Sequence, residues 1–314
     1  MEMKFFDSAA TFLKMVRPAL ERDEPANNLM FGLALRLEAA PGRFQHPPYR
    51  WPPLLAAVTD GEGLAAAALM TPPYNVIVFS PRAEKNEVFA FLAQSLRSGG
   101  WSIPGVLGPS ADALAFAAAW SAETGTTSRP GMSERVYELR QVIPPLQPPG
   151  SMRLAGESDF DLMAQWVYDF QCEAIPSEKS TREDAQNMAE AKIEDGDFFV
   201  WDDGSPAALA GKTRPTPHGT CIGPVYTPPE KRGRGYATAL TAALSQLLLD
   251  QGCQFTALFT DLTNPTSNSI YQKIGYRPVC DFNEYIFEEK AESRVLRSSF
   301  CPSYCVIRLI GSIC

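Results

Sequence analysis

The chain has 314 residues, of which 45% are hydrophobic and 20% charged, and its formal net charge is −8. This composition is ordinary for a soluble globular protein, and the length predicts two domains rather than one. The acidic balance argues against a general binder of nucleic acid or anionic membranes, and it is compatible with a substrate that presents an amine.

Cysteine and histidine content narrows the kinds of site that the chain can hold. Its seven cysteines include no C-x-x-C pair and no metal or disulfide spacing, which indicates free thiols in a reducing compartment. The only two histidines, His46 and His218, argue against a histidine-based triad or a histidine-rich metal site. The N-terminus lacks the apolar core of a signal peptide, and no apolar run approaches the roughly 20 residues of a membrane span. We therefore expect a cytoplasmic protein without a metal, a membrane partner or a nucleic-acid partner.

The first 142 residues alternate between predicted helices and strands, as judged from the spacing of their apolar residues. Helices are predicted over 7–20 and 26–38, strands over 54–58, 65–70 and 76–79, helices over 85–98 and 111–121, and a strand over 134–142. Residues 143–150 follow with four prolines in eight residues, which predicts a stiff, extended linker. We therefore predict domains over 1–142 and 151–288, and a tail of unknown role over 289–314.

The second half has a clearer order of elements. Strands and helices are predicted, in chain order, as a strand over 151–155, helices over 157–173 and 180–193, strands over 197–201, 207–212 and 220–226, a helix over 237–250, a strand over 254–260, a helix over 266–274, and closing strands over 276–280 and 285–287. A hairpin turn is expected between 201 and 207, where Asp-Asp-Gly-Ser joins two strands.

The most informative segment is the glycine-rich turn between the strand over 220–226 and the helix that follows it. It reads Lys231-Arg-Gly-Arg-Gly235. Glycine has no Cβ to cover neighbouring backbone N–H groups, and a helix N-terminus offers unpaired donors and a dipole that favour an anion. The segment therefore predicts a site for a phosphate or pyrophosphate.

Two motifs in this half resemble the signatures of the GNAT N-acetyltransferases. The first is Arg232-x-x-Gly235-x-Ala237, which fits the Q/R-x-x-G-x-G/A signature. The second, an N-x-x-A/S-x-x-x-Y-x-x-x-G-F/Y pattern, is matched by Asn264, Ser267, Tyr271, Gly275 and Tyr276. The resemblance covers about residues 151–288. It implies an α/β fold of tandem GNAT-like domains, each a mostly antiparallel twisted mixed sheet flanked by helices. The first half has a similar alternation of helices and strands. It lacks the R-x-x-G-x-A turn and a tyrosine that matches Tyr271, so we interpret it as a degenerate GNAT-like module.

The resemblance implies acetyl-CoA as co-substrate and assigns roles to named residues. The backbone of Val225, Tyr226 and Thr227 would pair with the pantetheine arm, and Asn264 would bond it. The pyrophosphate would be bound by the turn and first helical residues, Arg232, Gly233, Arg234, Gly235, Tyr236, Ala237 and Thr238. Tyr271 would protonate the departing thiolate, because a phenol of pKa near 10 can donate to a thiolate of similar basicity. For Asn264 and Tyr271, an N-cap and a half-buried helix residue are the alternatives.

The general base is less well defined by the sequence. Glu173, at the end of a predicted helix, and Asp261, at the open end of a predicted strand, are the candidate carboxylates. For each, a solvated or capping role is the alternative. Trp166, Tyr168 and Tyr226 are candidates for the acceptor pocket, with packing in the core as the alternative.

The predicted function is an acetyl-CoA-dependent N-acetyltransferase that moves an acetyl group to a primary amine of a small molecule or peptide by direct attack. Two alternatives remain open at this point. One is a CoA-binding sensor or interaction protein without turnover, and the other is a transferase that uses a different acyl donor.

Overall fold

The computed structural model describes residues 1–42, 52–174 and 180–289, so His46 and the predicted tail from residue 290 lie outside the described residues. Two compact units are present. The first contains Met1–Glu134 together with the last strand from Cys280 onward, and the second contains Arg135–Val279.

The first unit follows the order strand, two helices, three strands, helix, strand, helix, strand. Its elements are β1 (Glu2–Phe5), α1 (Ala9–Leu20), α2 (Glu24–Ala39), β2 (Leu54–Asp60), β3 (Gly63–Met70), β4 (Val76–Phe79), α3 (Asn86–Ser98), β5 (Gly105–Pro109), α4 (Ser110–Thr124) and β6 (Thr127–Leu139). The strands lie in the order β1-β2-β3-β4-β5, antiparallel except for the parallel β4–β5 pair. Alanine side chains on β2 and β3 pack with Phe89, Phe116 and Trp120 of α3 and α4 in one core.

The second unit repeats this order. Its elements are β7 (Ser151–Leu154), α5 (Phe160–Ala174), α6 (Arg182–Glu194), β8 (Phe198–Asp202), β9 (Pro206–Thr213), β10 (Gly219–Tyr226), α7 (Tyr236–Asp250), β11 (Phe255–Asp261), α8 (Pro265–Lys273) and β12 (Arg277–Glu288). The strands lie in the order β7-β8-β9-β10-β11, again antiparallel except for the parallel β10–β11 pair. The predicted α/β class, with mostly antiparallel sheets flanked by helices, is confirmed.

The chain contains two repeats of one order of elements, β1 to β6 and β7 to β12. The last strand of each repeat lies in the sheet of the other unit. In the first unit, β12 pairs antiparallel with β5, from Phe282 opposite Pro109 to Ile286 opposite Gly105. In the second unit, the part of β6 from Arg135 onward lies beside β11. The domain boundaries predicted from the prolines assign these two strands differently from the compact units.

Four strands of the structure differ from the prediction. The two closing strands expected around residues 281–284 form the single strand β12. Strands β1 and β5 were not predicted, and β6 begins seven residues before the predicted start at 134.

The linker over 143–150 contains no helix or strand, as expected. Its ends are bound within the second unit, because the Ile143 N–H donates to the Ile274 carbonyl at 2.9 Å and Trp201 Nε1 donates to the Pro149 carbonyl at 2.8 Å.

Among the described helices, none is both long enough and apolar enough to cross a membrane. The described residues also contain no group of three or more His, Cys, Asp or Glu that could hold a metal ion.

Candidate active site

The strands β10 and β11 separate near the middle of the second unit's sheet. Their parallel pairing runs from Gly219 opposite Phe255 to Cys221 opposite Ala257, although β10 continues to Tyr226. Pro224 has no N–H to donate, and the register of β10 with β9 shifts between Ile222 and Val225. The carboxyl ends of the two strands are therefore not paired with each other, and an extended ligand can add its own backbone-like groups in such a gap.

The glycine-rich turn lies directly after β10. Gly233 and Gly235 have φ of +76° and +84°, a region that residues with a Cβ rarely adopt. Gly235 is the N-cap of α7, and this helix has neither a side-chain cap nor an acidic residue in its first turn. A Cβ built on Gly235 would meet no atom within 4 Å, so the space in front of the helix is open. The first N–H groups of α7 consequently face an open space with the charge preference of an anion site.

Two side chains of this segment bind the β8–β9 hairpin instead of facing that space. Lys231 Nζ lies 3.5 Å from Asp203 Oδ1 and 3.1 Å from Ser205 Oγ, and the Tyr236 hydroxyl donates to Asp203 Oδ2. The hydroxyl of Tyr236 is the main reason that the pKa of Asp203 is below its ordinary value. Tyr236 therefore offers only its backbone N–H to a ligand, while its side chain holds the turn in place.

Arg232 also folds back from the open space. Its Nε donates to the Thr227 carbonyl at 2.8 Å, and its Nη2 donates to Glu173 Oε2 at 2.7 Å. The other oxygen of Glu173 accepts from the Tyr226 hydroxyl at 3.3 Å. Tyr226 is buried, and its desolvation raises the pKa of this phenol to about 12. The predicted base Glu173 therefore has both oxygens bound to protein donors.

Asp261 and Asn264 make the capping contacts that were their alternative roles. Asp261 Oδ1 accepts from the backbone N–H and the hydroxyl of Thr263, both at 2.7 Å. Asn264 Oδ1 accepts from the Ser267 N–H at 3.1 Å and so forms the N-cap of α8. These contacts fix the turn between β11 and α8. Neither contact identifies a base or a pantetheine ligand.

Tyr271 is fully buried between β11, α7 and α8, where it packs with Leu258 and Ile274. Its ring lies 5.8 Å from that of Tyr276 in an edge-to-face arrangement. The Tyr276 hydroxyl is within hydrogen-bond distance of Ser245 Oγ and Thr256 Oγ1, and burial raises its pKa. Tyr271, the tyrosine of the second motif, therefore lies inside the second unit. It lies beside Tyr276, whose hydroxyl already has hydrogen-bond partners in the protein.

Four buried hydroxyls lie around these elements, and two of them, Thr241 and Thr260, were not singled out from the sequence. Each has no hydrogen-bond partner among the described residues: Thr227, Thr241, Thr260 and Ser267. Thr260 lies on the same face of β11 as Leu258, and Ser267 lies one helical turn before Tyr271. Buried hydroxyls are normally paired, so these groups are available to a bound ligand or water. Two threonines on one face of an apolar strand, Thr256 and Thr260, were the signal that sequence reading overlooked.

The candidate acceptor aromatics are mainly core residues. Trp166 is buried, and its ring lies 6.3 Å from that of Tyr226. Tyr168 is partly buried, and the guanidinium carbon of Arg182 lies 4.6 Å from the centre of its ring.

The first unit has a different arrangement at the corresponding place. Asp112, in the first turn of α4, is 2% exposed; its Oδ2 accepts from the Ser80 N–H at 2.7 Å, and its Oδ1 lies 2.5 Å from Lys85 Nζ. Ser80 directly follows β4 and Lys85 is the N-cap of α3, so these positions correspond to Thr227 and Gly235. A carboxylate of the chain itself therefore binds donors at the strand end and helix start of this unit.

Comparison with known proteins agrees with the two motifs. Residues 203–286 match the family model of FR47-like proteins, a family related to GNAT. This match contains both motifs, so it confirms over residues 203–286 the GNAT resemblance that they predicted. A match to this GNAT-related family indicates the enzyme class of GNAT-type acyltransferases. No curated protein matches the sequence.

Solved structures show the same fold over most of the chain. A GNAT-family acetyltransferase from Colwellia psychrerythraea is 14% identical with a TM-score of 0.57, and the match covers 92% of this chain and 100% of that one. A tandem GNAT protein from the clavulanic acid biosynthesis pathway is 15% identical with a TM-score of 0.53, covering 92% and 98%. A GCN5-related N-acetyltransferase from Sphaerobacter thermophilus is 20% identical with a TM-score of 0.50, covering 75% and 80%. The second of these supports the tandem GNAT architecture.

Proposed function

We propose that this GNAT protein is an acetyl-CoA-dependent N-acetyltransferase whose single CoA site lies in the second unit. The observation that carries the proposal is the gap between β10 and β11, which ends at an uncapped helix N-terminus with two glycines of positive φ. The gap suits an extended pantetheine arm, and the helix N-terminus suits a diphosphate. No other described segment combines these two features.

In this proposal, the backbone of Val225, Tyr226 and Thr227 pairs with the pantetheine arm, and the N–H groups from Gly235 to Thr238 bind the diphosphate. A neutral amine attacks the thioester carbonyl, so a C–N bond forms and the C–S bond breaks. The nitrogen releases a proton to water or to a carboxylate, and the CoA thiolate takes a proton from Tyr271. The unpaired Thr260 and Ser267 hydroxyls provide polar contacts near that phenol.

The acceptor in this proposal is a primary amine of a small molecule or peptide, and the acidic net charge of −8 supports a cationic acceptor. The four described cysteines form no disulfide, which supports a reducing, cytoplasmic location.

One observation favours a second candidate, CoA binding without turnover. Tyr271 is 0% exposed and packed in the core, whereas a general acid must reach its leaving group. A transferase using a longer acyl donor is the third candidate.

The deciding experiment measures acetyl-CoA binding by calorimetry and release of free CoA across a panel of amino acids, polyamines, aminoglycosides and peptides. Binding with release of CoA for one acceptor class is the expected result. Binding without release for every acceptor and every acyl donor tested would favour the sensor, and absence of CoA binding would contradict the proposal.

A further inference from the structure

Three residues form one connected network where the end of β10 meets the glycine-rich turn over 231–235. We call this turn the diphosphate turn. Glu173 lies in the last turn of α5, Tyr226 is the last residue of β10, and Arg232 precedes the helix α7. Besides the two contacts of Glu173, the guanidinium carbon of Arg232 lies 5.6 Å from the centre of the Tyr226 ring. Arg232 also contacts the backbone directly after β10, because its Nε donates to the Thr227 carbonyl.

These contacts fix the orientation of Arg232 from several directions. A guanidinium is planar, so a carboxylate at one end, a carbonyl at another and an aromatic face beside it leave a single orientation. The Arg232 and Glu173 side chains are 34% and 35% exposed, and a pair at this exposure adds little to overall stability. The value of the pair therefore lies in the local geometry that it imposes on the turn and on the end of β10.

The same contacts argue against a proton-accepting role for Glu173. One oxygen accepts from Arg232 and the other from Tyr226, so a proton from a substrate amine would have to displace one of these donors. A residue that must break one of its two contacts to act as a base is better suited to holding its neighbours.

We propose that Glu173 is a positioning residue that sets the conformation of the diphosphate turn through Arg232 and that of the β10 end through Tyr226. The inference rests on the proposed function, because the turn is taken as the CoA site. It makes CoA affinity depend on a carboxylate that does not touch CoA. It also couples the conformation of the last turn of α5 to CoA binding at the diphosphate turn.

The direction in which acetyl-CoA affinity changes when Glu173 is removed separates this proposal from a simple charge effect. Removing a carboxylate near an anion site should strengthen anion binding by electrostatics alone. We expect the opposite for Glu173→Ala, a weakening of acetyl-CoA affinity by about tenfold, the scale of one charge-assisted hydrogen bond. The control is Glu230→Ala, which removes an exposed carboxylate beside the same turn and should leave the affinity equal or slightly higher.

The test uses the full-length chain with calorimetry for acetyl-CoA, and thermal melting to show that each variant is folded. We expect Arg232→Ala to weaken binding to the same degree as Glu173→Ala, and the double variant to be no weaker than either single one. Glu173→Gln keeps an acceptor oxygen for Arg232 and should recover most of the affinity. With an acceptor in hand, Glu173→Gln should retain the shape of the kcat–pH profile.

Several outcomes would overturn the proposal. Additive losses in the double variant would show that Arg232 and Glu173 act independently. A kcat that falls about 100-fold in Glu173→Gln with unchanged CoA affinity would make Glu173 the base. Unaltered CoA affinity in Glu173→Ala would remove the network while leaving the proposed function intact, whereas a wild-type chain that binds no CoA would contradict the function itself.

Discussion

Gly235 shows how a single missing side chain makes room for a ligand. Its φ of +84° is strained for other residues, and the space in front of it holds no protein atom within 4 Å. A glycine crowded by protein would be retained for packing. What distinguishes Gly235 from other such glycines is the uncapped helix N-terminus that follows it, and this combination favours an anion.

We predict that Gly235→Asp lowers acetyl-CoA affinity by at least about 100-fold, because it adds a carboxylate where a phosphate approaches backbone N–H groups. Gly252→Asp is a matched control just past the other end of the same helix, since Gly252 also has positive φ and open space around its Cβ. Calorimetry should show near wild-type affinity for the control and similar losses of thermal stability for both. Equal affinity in the two variants would contradict the phosphate site.

Tyr271 and Tyr276 provide a second matched pair. We predict that Tyr271→Phe keeps acetyl-CoA affinity and lowers kcat by about 100-fold or less, the usual scale of a general acid. Tyr276→Phe removes a hydroxyl bonded to Ser245 and Thr256, so it should lower the free energy of unfolding by about 1–2 kcal/mol and leave kcat unchanged. If chemistry is rate-limiting and Tyr271→Phe has wild-type kcat, Tyr271 has no part in proton transfer.

At the scale of elements, the turns after β4 and β10 show why two repeats with one topology differ in ligand capacity. In the second unit the helix N-terminus has no side-chain cap and faces open space. In the first unit Asp112 holds the strand end and the helix start together, with burial as the main cause that raises its pKa. Asp112 therefore binds the Ser80 N–H and Lys85 Nζ, at the positions that correspond to Thr227 and Gly235.

We predict that Asp112→Ala lowers the free energy of unfolding by about 2–3 kcal/mol, because the Ser80 N–H and Lys85 lose a charged acceptor in a buried place. The control Glu62→Ala removes an 80% exposed partner of Arg82 in the same unit and should cost less than about 1 kcal/mol. Denaturant unfolding measures both. Acetyl-CoA affinity should not change in either variant, and a second CoA bound by Asp112→Ala would show that the cleft was only blocked.

Sequence patterns predicted most helices and strands because each has a buried face of its own. Strand β5 escaped prediction because Gly105, Gly108 and Pro109 leave only two apolar residues in five. The middle of β12 was interpreted as a break because it is polar, yet Glu284 is 2% exposed there and accepts from Asn75 Nδ2 and the Met132 N–H. Such partners come from distant parts of the chain and leave no local signal.

The same limit applied to the candidate site. The motifs located the turn and Tyr271, because both depend on local spacing. They gave no indication that Arg232 would turn toward Glu173, since these residues are 59 positions apart. They also did not reveal the exchange of β6 and β12, which depends on pairing between repeats.

For the whole molecule, the predicted stoichiometry is one CoA per chain. Among the described residues, only the second unit has glycines of positive φ leading into the helix after its fourth strand. A cut at the proline linker would separate the part of β6 from Arg135 onward from the rest of the second unit. A fragment of residues 151–288 lacks β6 and with it Tyr137 and Leu139, which pack against Leu258 and Tyr271.

We predict that fragment 151–288 is poorly soluble and binds CoA weakly, whereas fragment 127–288, which keeps β6, is more soluble and binds CoA more tightly. Titration of CoA into the intact chain and both fragments measures stoichiometry and affinity together. Two CoA molecules per intact chain would refute the single site, and equal behaviour of the fragments would show that β6 is dispensable.

The exchanged strands also bear on how such a chain arises. A protein with one copy of the repeat could complete its sheet with its own last strand or with that of a second copy, and the second arrangement is a strand-exchanged homodimer. Duplication and fusion of its gene would place both copies on one chain, and the partner strand would then be present at a high effective concentration regardless of expression level. In such a fused chain the two copies need not stay identical, and one copy can carry a carboxylate such as Asp112 where the other has an open turn.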